Sequence, residues 1–438
     1  MNKRAKFSLA LLVFGLLIQF SPARSQTKPV EQATRPRTVT PQPTQRQSTT
    51  TQTPAATRPP VTSSLPVQQQ DSVVAIQPAR PLSMNKINAR LDEAKRLLKS
   101  RPALTAMTGG TTSAGSSSII MSNSMMPTLS IVTLAALDEK SSQIHLLTIP
   151  KDSFLKKGTE MNLMTSLGMS VRLRIIRANG VNTAVTVYDN TTGRALVPLV
   201  VEYPIERNGS LHEMGYYTSA HPALLSPEVV KAGQSYVHTM LDLAAKRLRD
   251  KGVSIPSNLV DIAERLCVVE HTDHTRFYTE NHQLLFEEIY SLYALNQLDT
   301  YRFSVSSAGA GGMVQMIPAT YQMERRLHPG IGLNPDFVYG MRNHGNALEA
   351  MLLYILDTWT LLAADPDVSA AMSSGIATQP ELMAAGYNSN PAKLGQYIRR
   401  GGSSWRTLIP RETQMYLQVY ASVESLMFSK DAKTRRSL

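Results

Sequence analysis

The sequence predicts a mixed α+β chain of several domains, with a small β domain preceding an α-rich C-terminal domain. Three observations predict it. From about Ser130 to Ile205 apolar residues recur with period two, as in Val171-Arg172-Leu173-Arg174-Ile175. From Ser226 onward, and most clearly after Pro256, they recur at helical spacing. Ahead of both lies a Thr/Gln/Pro-rich stretch, 26–82, too poor in large apolar groups to offset its ordering entropy. A chain of 438 residues is long enough for two or three domains.

In order, the first 25 residues have the pattern of a secretory signal peptide. Lys3, Arg4 and Lys6 form a basic start, Phe7 to Phe20 an apolar run, and Ala23 and Ser25 small residues suited to cleavage before Gln26. A retained membrane anchor is the alternative, although the run is short for a span. The expectation is an exported protein, periplasmic or held at the cell envelope, with 26–82 as a tether. Cys267 is the only cysteine, so no internal disulfide can form, and its apolar neighbours make it a small buried hydrophobe. The net charge of +12 suits acidic polymers or membrane surfaces. Nucleic acid is not an expected partner, because no Lys/Arg cluster is interleaved with aromatics.

Within 83–125, Ile87, Leu91, Ala94 and Leu98 predict a helix over 84–100, and Gly109 to Ser118 reads as a flexible linker. The β domain is placed at 126–210 and expected to be a sandwich. Asn190-Thr191-Thr192-Gly193 is its clearest hairpin turn, and Arg172 and Arg174 belong on a solvated face. A connecting segment, 211–255, contains a helix that starts at Ser226-Pro227-Glu228 and runs to Asp250. The α-rich domain fills 256–430, and a basic tail, 431–438, follows.

Two stretches of that domain carry chemistry. In SNLVDIAERLCVVEHTDH, Leu259, Ala263, Leu266 and Glu270 lie at i, i+4, i+7 and i+11, on one helix face, while Glu264 points elsewhere. A carboxyl at the edge of an apolar face loses hydration and its pKa rises, as a general acid near neutral pH requires. The competing reading is a Glu at a helix end turned into water. His271, Asp273 and His274 fit no recognised ligand spacing, so no metal is expected there. The second stretch is Ser304 to Thr320, SVSSAGAGGMVQMIPAT. Its glycines allow tight turns, and Met313 to Ile317 predicts a short buried helix ended by Pro318. Gln315 inside that run is either a satisfied core amide or a substrate-binding group.

Ser306, Ala308, Gly309, Ala310, Gly312, Met313, Gln315 and Pro318 form S-x-A-G-A-x-G-hydrophobic-x-Q-x-x-P. This resembles the signature of the lysozyme-like (soluble, SLT-type) lytic transglycosylases of bacterial cell walls. Two later segments follow in the family's order. Ala384-Ala385-Gly386-Tyr387-Asn388 is similar to A-x-A-Y-N-A-G, departing from it after Asn388, and Ile409 to Tyr416 is similar to L-P-x-E-T-x-x-Y. The resemblance spans about 306–416.

It implies a lysozyme-like fold for 256–430 and cleavage of the β-1,4 bond from N-acetylmuramic acid to N-acetylglucosamine in peptidoglycan glycan strands. One Glu would act as acid and then base, leaving a 1,6-anhydromuramoyl end, with no cofactor. Glu270 is the implied acid, with 271–303 as an insertion; Glu288 and then Glu287 are the other candidates. Gln297 stands where the family spacing places the acid. Ser306 and Gln315 would position substrate or Glu, and Tyr387, Asn388 and Tyr416 would shape the cleft. An envelope complex is a further candidate partner. The alternatives are a catalytically inactive peptidoglycan-binding scaffold and a lysozyme-type hydrolase using a water held by Asp273 or Asp299.

Overall fold

The structure is a computed structural model that describes residues 82–101 and 129–429. The expected signal peptide, the tether apart from Leu82, the Gly/Ser linker and the basic tail lie outside the described residues. The described residues fall in a single compact unit.

Helix α1 (Met84–Ser100) has the expected bounds and buries Ile87, Leu91, Ala94 and Leu98. It covers one side of an antiparallel sheet, against Ala135, Leu137 and Leu199. The sheet strands are β1 (Ile131–Asp138) and β2 (Gln143–Pro150), then, after the single-turn α2 (Lys151–Phe154), β3 (Glu160–Met164), β4 (Ser170–Arg177), β5 (Ala184–Asp189), β6 (Ala195–Arg207) and β7 (Ser210–Tyr217). Their order is β2-β1-β6-β5-β4-β3, with β7 also paired to β6. The turn after β5 forms as expected, closed by Gly193 N–H on Asp189 O at 2.8 Å. Arg172 and Arg174 face solvent while Val171, Leu173 and Ile175 are buried.

Two expectations change here. The β segment is one curled seven-stranded sheet rather than a sandwich. The long β6 permits this, pairing β1 along one edge and both β5 and β7 along the other. Pro198 lies beside the register shift in the β1–β6 pair, where a missing N–H is tolerated. The curl brings the ends together: Ser166, just past β3, donates its N–H to Leu146 O of β2 at 2.9 Å. The sheet also runs past residue 210, because Val201 pairs with Tyr217.

Helix α3 (Pro227–Asp250) starts as its sequence indicates, with Ser226 Oγ accepting from Val229 N–H at 3.3 Å. Next come α4 (Ser257–Val269), α5 (His274–Thr279) and α6 (His282–Asn296). Helices α7 (Pro318–Leu327), α8 (Phe337–Arg342), α9 (His344–Ala363) and α10 (Pro366–Ser373) follow, then α11 (Gln379–Asn388), α12 (Leu394–Gly401) and α13 (Arg411–Val423). Helix α9 is central: Leu348, Met351, Leu352, Leu353 and Ile355 are buried on several sides of it. Helices α3 and α6 touch backbone to backbone. A Cβ on Gly233 would lie 1.8 Å from Tyr290 O, so only glycine fits there.

Asn296 joins the helices to the sheet. Its Oδ1 accepts from Thr218 N–H at 2.9 Å and its Nδ2 donates to Thr218 O at 2.8 Å. Leu292, one turn earlier on α6, belongs to the core of the sheet. Cys267 is buried and free, as expected. Among the described residues, no single helix is long and apolar enough to cross a membrane.

Candidate active site

Helix α4 points its C-terminus at a cavity of about 930 Å³ between the sheet and the helices. Leu259, Ala263 and Leu266 are fully buried, and Glu270, the helix-terminal residue on the same face, lines the cavity. Glu264 does point elsewhere, but it too is buried, with one oxygen 3.2 Å from His238 Nδ1 on α3.

Glu270 Oε1 accepts a hydrogen bond of 2.5 Å from the hydroxyl of Tyr416 on α13. Burial pushes the carboxyl up from 4.5 to about 8; the Tyr416 hydrogen bond opposes this, and the charge of nearby Glu412 adds to it. At neutral pH Glu270 therefore carries a proton at the cavity wall.

The motif loop faces it. Gly311 forms bridges with Val305 and Met316, folding 305–316 into a compact double turn. Gly312, at φ 66°, packs so closely on α8 that a Cβ would lie 2.3 Å from Met341 O. Met313 to Ile317 is not the expected helix. One tight turn ends at Gln315 in the left-handed region, and Pro318 begins α7 instead of ending a helix. Ile317 is extended in either case, because the ring of Pro318 excludes the helical region for it, while proline itself is well suited to a first helical position.

Gln315 lines the cavity and donates its Nε2 to Ser304 Oγ at 3.2 Å and Gly312 O at 2.8 Å. A non-glycine residue at φ 45° is strained, and such strain concentrates at functional sites. Side chains from the turn after α4 and from α11 catch two of the loop's carbonyls. His271 Nε2 lies 3.0 Å from Met313 O, and Tyr387 donates its hydroxyl to Val314 O at 2.8 Å. Burial depresses the His271 pKa to about 3, so the ring is neutral and Nε2 carries the donated proton. The ring stacks on Tyr301 at 3.3 Å between centroids.

The structure thus brings together Glu270, Gln315, Tyr387 and Tyr416, of which Glu270 and Gln315 line the cavity and the two tyrosines stand behind it. Asn388 lies behind them, its Oδ1 accepting from Thr413 at 2.8 Å and tying α11 to α13. Ser306 stands apart: it is exposed, it does not line the cavity, and its Oγ accepts from Ala310 N–H at 3.0 Å to hold the turn. Ser304, which sequence reasoning missed, takes the place beside Gln315. His271 and Tyr301 were missed as well, although the position of His271 directly after Glu270 was a signal.

The competing acids fare differently. Glu288 lines the same cavity but is ion-paired with Arg177 and with Arg276, the latter at 2.8 Å. Glu287 accepts from Gln283, and Gln297 is exposed at the end of α6. Asp273 lines the cavity but caps α5 through Arg276 N–H at 2.8 Å. Asp299 does not line the cavity and lies 3.7 Å from Arg302. His271, Asp273 and His274 do not converge on a common point: the first is stacked, the second caps a helix and the third is exposed.

No family model matches the chain, and no curated protein or solved structure matches it.

Proposed function

We propose that the chain is a peptidoglycan lytic transglycosylase whose helical part is a lysozyme-like domain. The observation that carries this reading is Glu270, protonated at neutral pH, held by Tyr416 and facing a cavity of about 930 Å³ shared with Gln315. That volume suits a ligand of several rings.

In this mechanism Glu270 gives its proton to the glycosidic oxygen as the bond to muramoyl C1 breaks. The resulting carboxylate takes the proton of the muramoyl C6 hydroxyl, whose oxygen bonds to C1 and closes the 1,6-anhydro ring. One carboxyl serves both steps, so the paired carboxylates of ordinary glycoside hydrolysis are not needed. Gln315 positions the sugar. Tyr387 and Asn388 act through the loop and helix they lock, and Ser306 through the turn it holds. Export to the cell envelope follows from the substrate.

A lysozyme-type hydrolase is the second reading, favoured by Asp273, which lines the same cavity. An inactive scaffold gains less support, since Gln297 lies exposed while Glu270 faces the cavity. Mass spectrometry of purified peptidoglycan treated with the protein separates the three. Anhydro-muropeptides from the wild type and none from Glu270→Gln support the proposal. Reducing ends alone indicate the hydrolase. Sedimentation with the cell wall and no released product indicates the scaffold.

A further inference from the structure

Glu324 and His328 lie four residues apart at the end of α7, outside the lining of the Glu270 cavity, and Asp357 faces them from α9. His328 Nε2 is 2.8 Å from Asp357 Oδ2 and 3.7 Å from Glu324 Oε2. The Glu324 side chain has 0 % exposure, and neither of its oxygens has a hydrogen-bond donor among the described residues. A buried carboxyl with no donor is costly unless a proton or a cation satisfies it.

We propose that Glu324, His328 and Asp357 form a site for a divalent cation of the zinc type, which pins α7 to the central helix α9. One imidazole nitrogen and two carboxylate oxygens suit zinc and its first-row neighbours, whereas calcium and magnesium prefer oxygen alone. The spacing fits as well. Ligand atoms at tetrahedral corners around zinc lie about 3.4 Å apart, and the distances of 2.8 and 3.7 Å bracket that value. The cation would replace the proton between His328 and the carboxylates. Asp357, 32 % exposed, leaves a path from solvent and room for a bound water. Helix α7 leads directly out of the Gln315 loop, so the cation would anchor the far end of the helix that follows that loop without touching Glu270.

The rival is a simple protonated acid, because burial and the Asp357 charge already push Glu324 up to about 8. The test takes full-length protein stripped with a chelator and titrates it with zinc chloride in a calorimeter, beside Glu324→Gln and Asp357→Asn. Circular dichroism checks the fold of each, and cobalt(II) absorption reports the donor set. The proposal expects a single saturable equivalent in the wild type, a raised melting temperature and tetrahedral cobalt bands. Affinity should fall on the order of a hundredfold or more in either variant. Should Glu324→Gln fail to fold, the partly exposed Asp357→Asn carries the comparison. No saturable binding to the wild type, or equal binding by the variants, overturns the proposal. None of these readouts depends on activity toward glycan.

Discussion

Tyr416 donates its hydroxyl to Glu270 at 2.5 Å across 146 residues of chain. The bond fixes one carboxyl oxygen, while Oε2 has no hydrogen-bond donor among the described residues and, in the proposed mechanism, would meet the substrate. Burial raises the Glu270 pKa and Tyr416 lowers it, with burial the larger effect. Tyr416 therefore fixes the direction of the group and moderates the rise in pKa that burial causes.

Replacing Glu270 by Gln removes the one group that both gives and takes a proton in the proposed mechanism. Release of anhydro-muropeptides should fall by about 10²–10⁴-fold. In the wild type the rate should hold up to about pH 8 and decline above it, where Glu270 ionises. A pH profile of initial rates checks both outcomes.

The same substitution should stabilise the fold in a pH-dependent way. The raised folded pKa means that stability is fully present below pH 4.5 and is lost as pH rises toward about 8. Glu270→Gln lacks that loss. Its advantage over wild type should be small at pH 4.5 and on the order of 3 kcal/mol at pH 8, allowing for partial solvent contact. Urea unfolding at the two pH values measures the difference.

Tyr416→Phe removes the hydrogen bond that opposes the effect of burial. The basic limb of the rate profile should move to higher pH, while the maximal rate falls about tenfold or more as the carboxyl loses its fixed direction. A limb unmoved within error would mean that the hydroxyl does not act on Glu270 in solution.

Gln315→Gly relieves the positive φ and deletes the amide. Stability should stay level or rise by up to about 1 kcal/mol, whereas activity falls through a raised KM. Gln315→Ala keeps the backbone strain and loses both amide hydrogen bonds, so it should be less stable than the Gly variant. Thermal melts and substrate-dependence curves, read together, separate strain from substrate contact.

Asn296→Ala should destabilise by about 2–4 kcal/mol, because it leaves the buried N–H and C=O of Thr218 without partners. A melting temperature within a degree of wild type would show that sheet and helices are held together by their apolar contacts alone.

Much of this was legible because the signals were local and redundant. Helix α1 has its expected bounds, Ser226 caps α3, Gly193 closes its turn, and the period of α4 carries Glu270 to the cavity. Other features were not legible, for two physical reasons. Pro318 forces an extended residue before it whether it ends a helix or begins one, so its meaning depended on the left-handed turn at Gln315. The stack of His271 on Tyr301, the partnership of Ser304 with Gln315 and the pairing of β7 with β6 are contacts between distant or non-periodic residues. No single window of sequence encodes them. Ser306 was drawn into the site by its place in the motif, yet its hydroxyl is consumed by the turn.

The placement of Tyr416 has a consequence for timing. Helix α13 is synthesised after every other segment that surrounds Glu270. A chain in which α13 had not docked would leave Glu270 more hydrated and ionised near neutral pH, and an ionised carboxyl has no proton to give. In the proposed mechanism, the acidity of Glu270 would therefore depend on the closing of a helix made long after it.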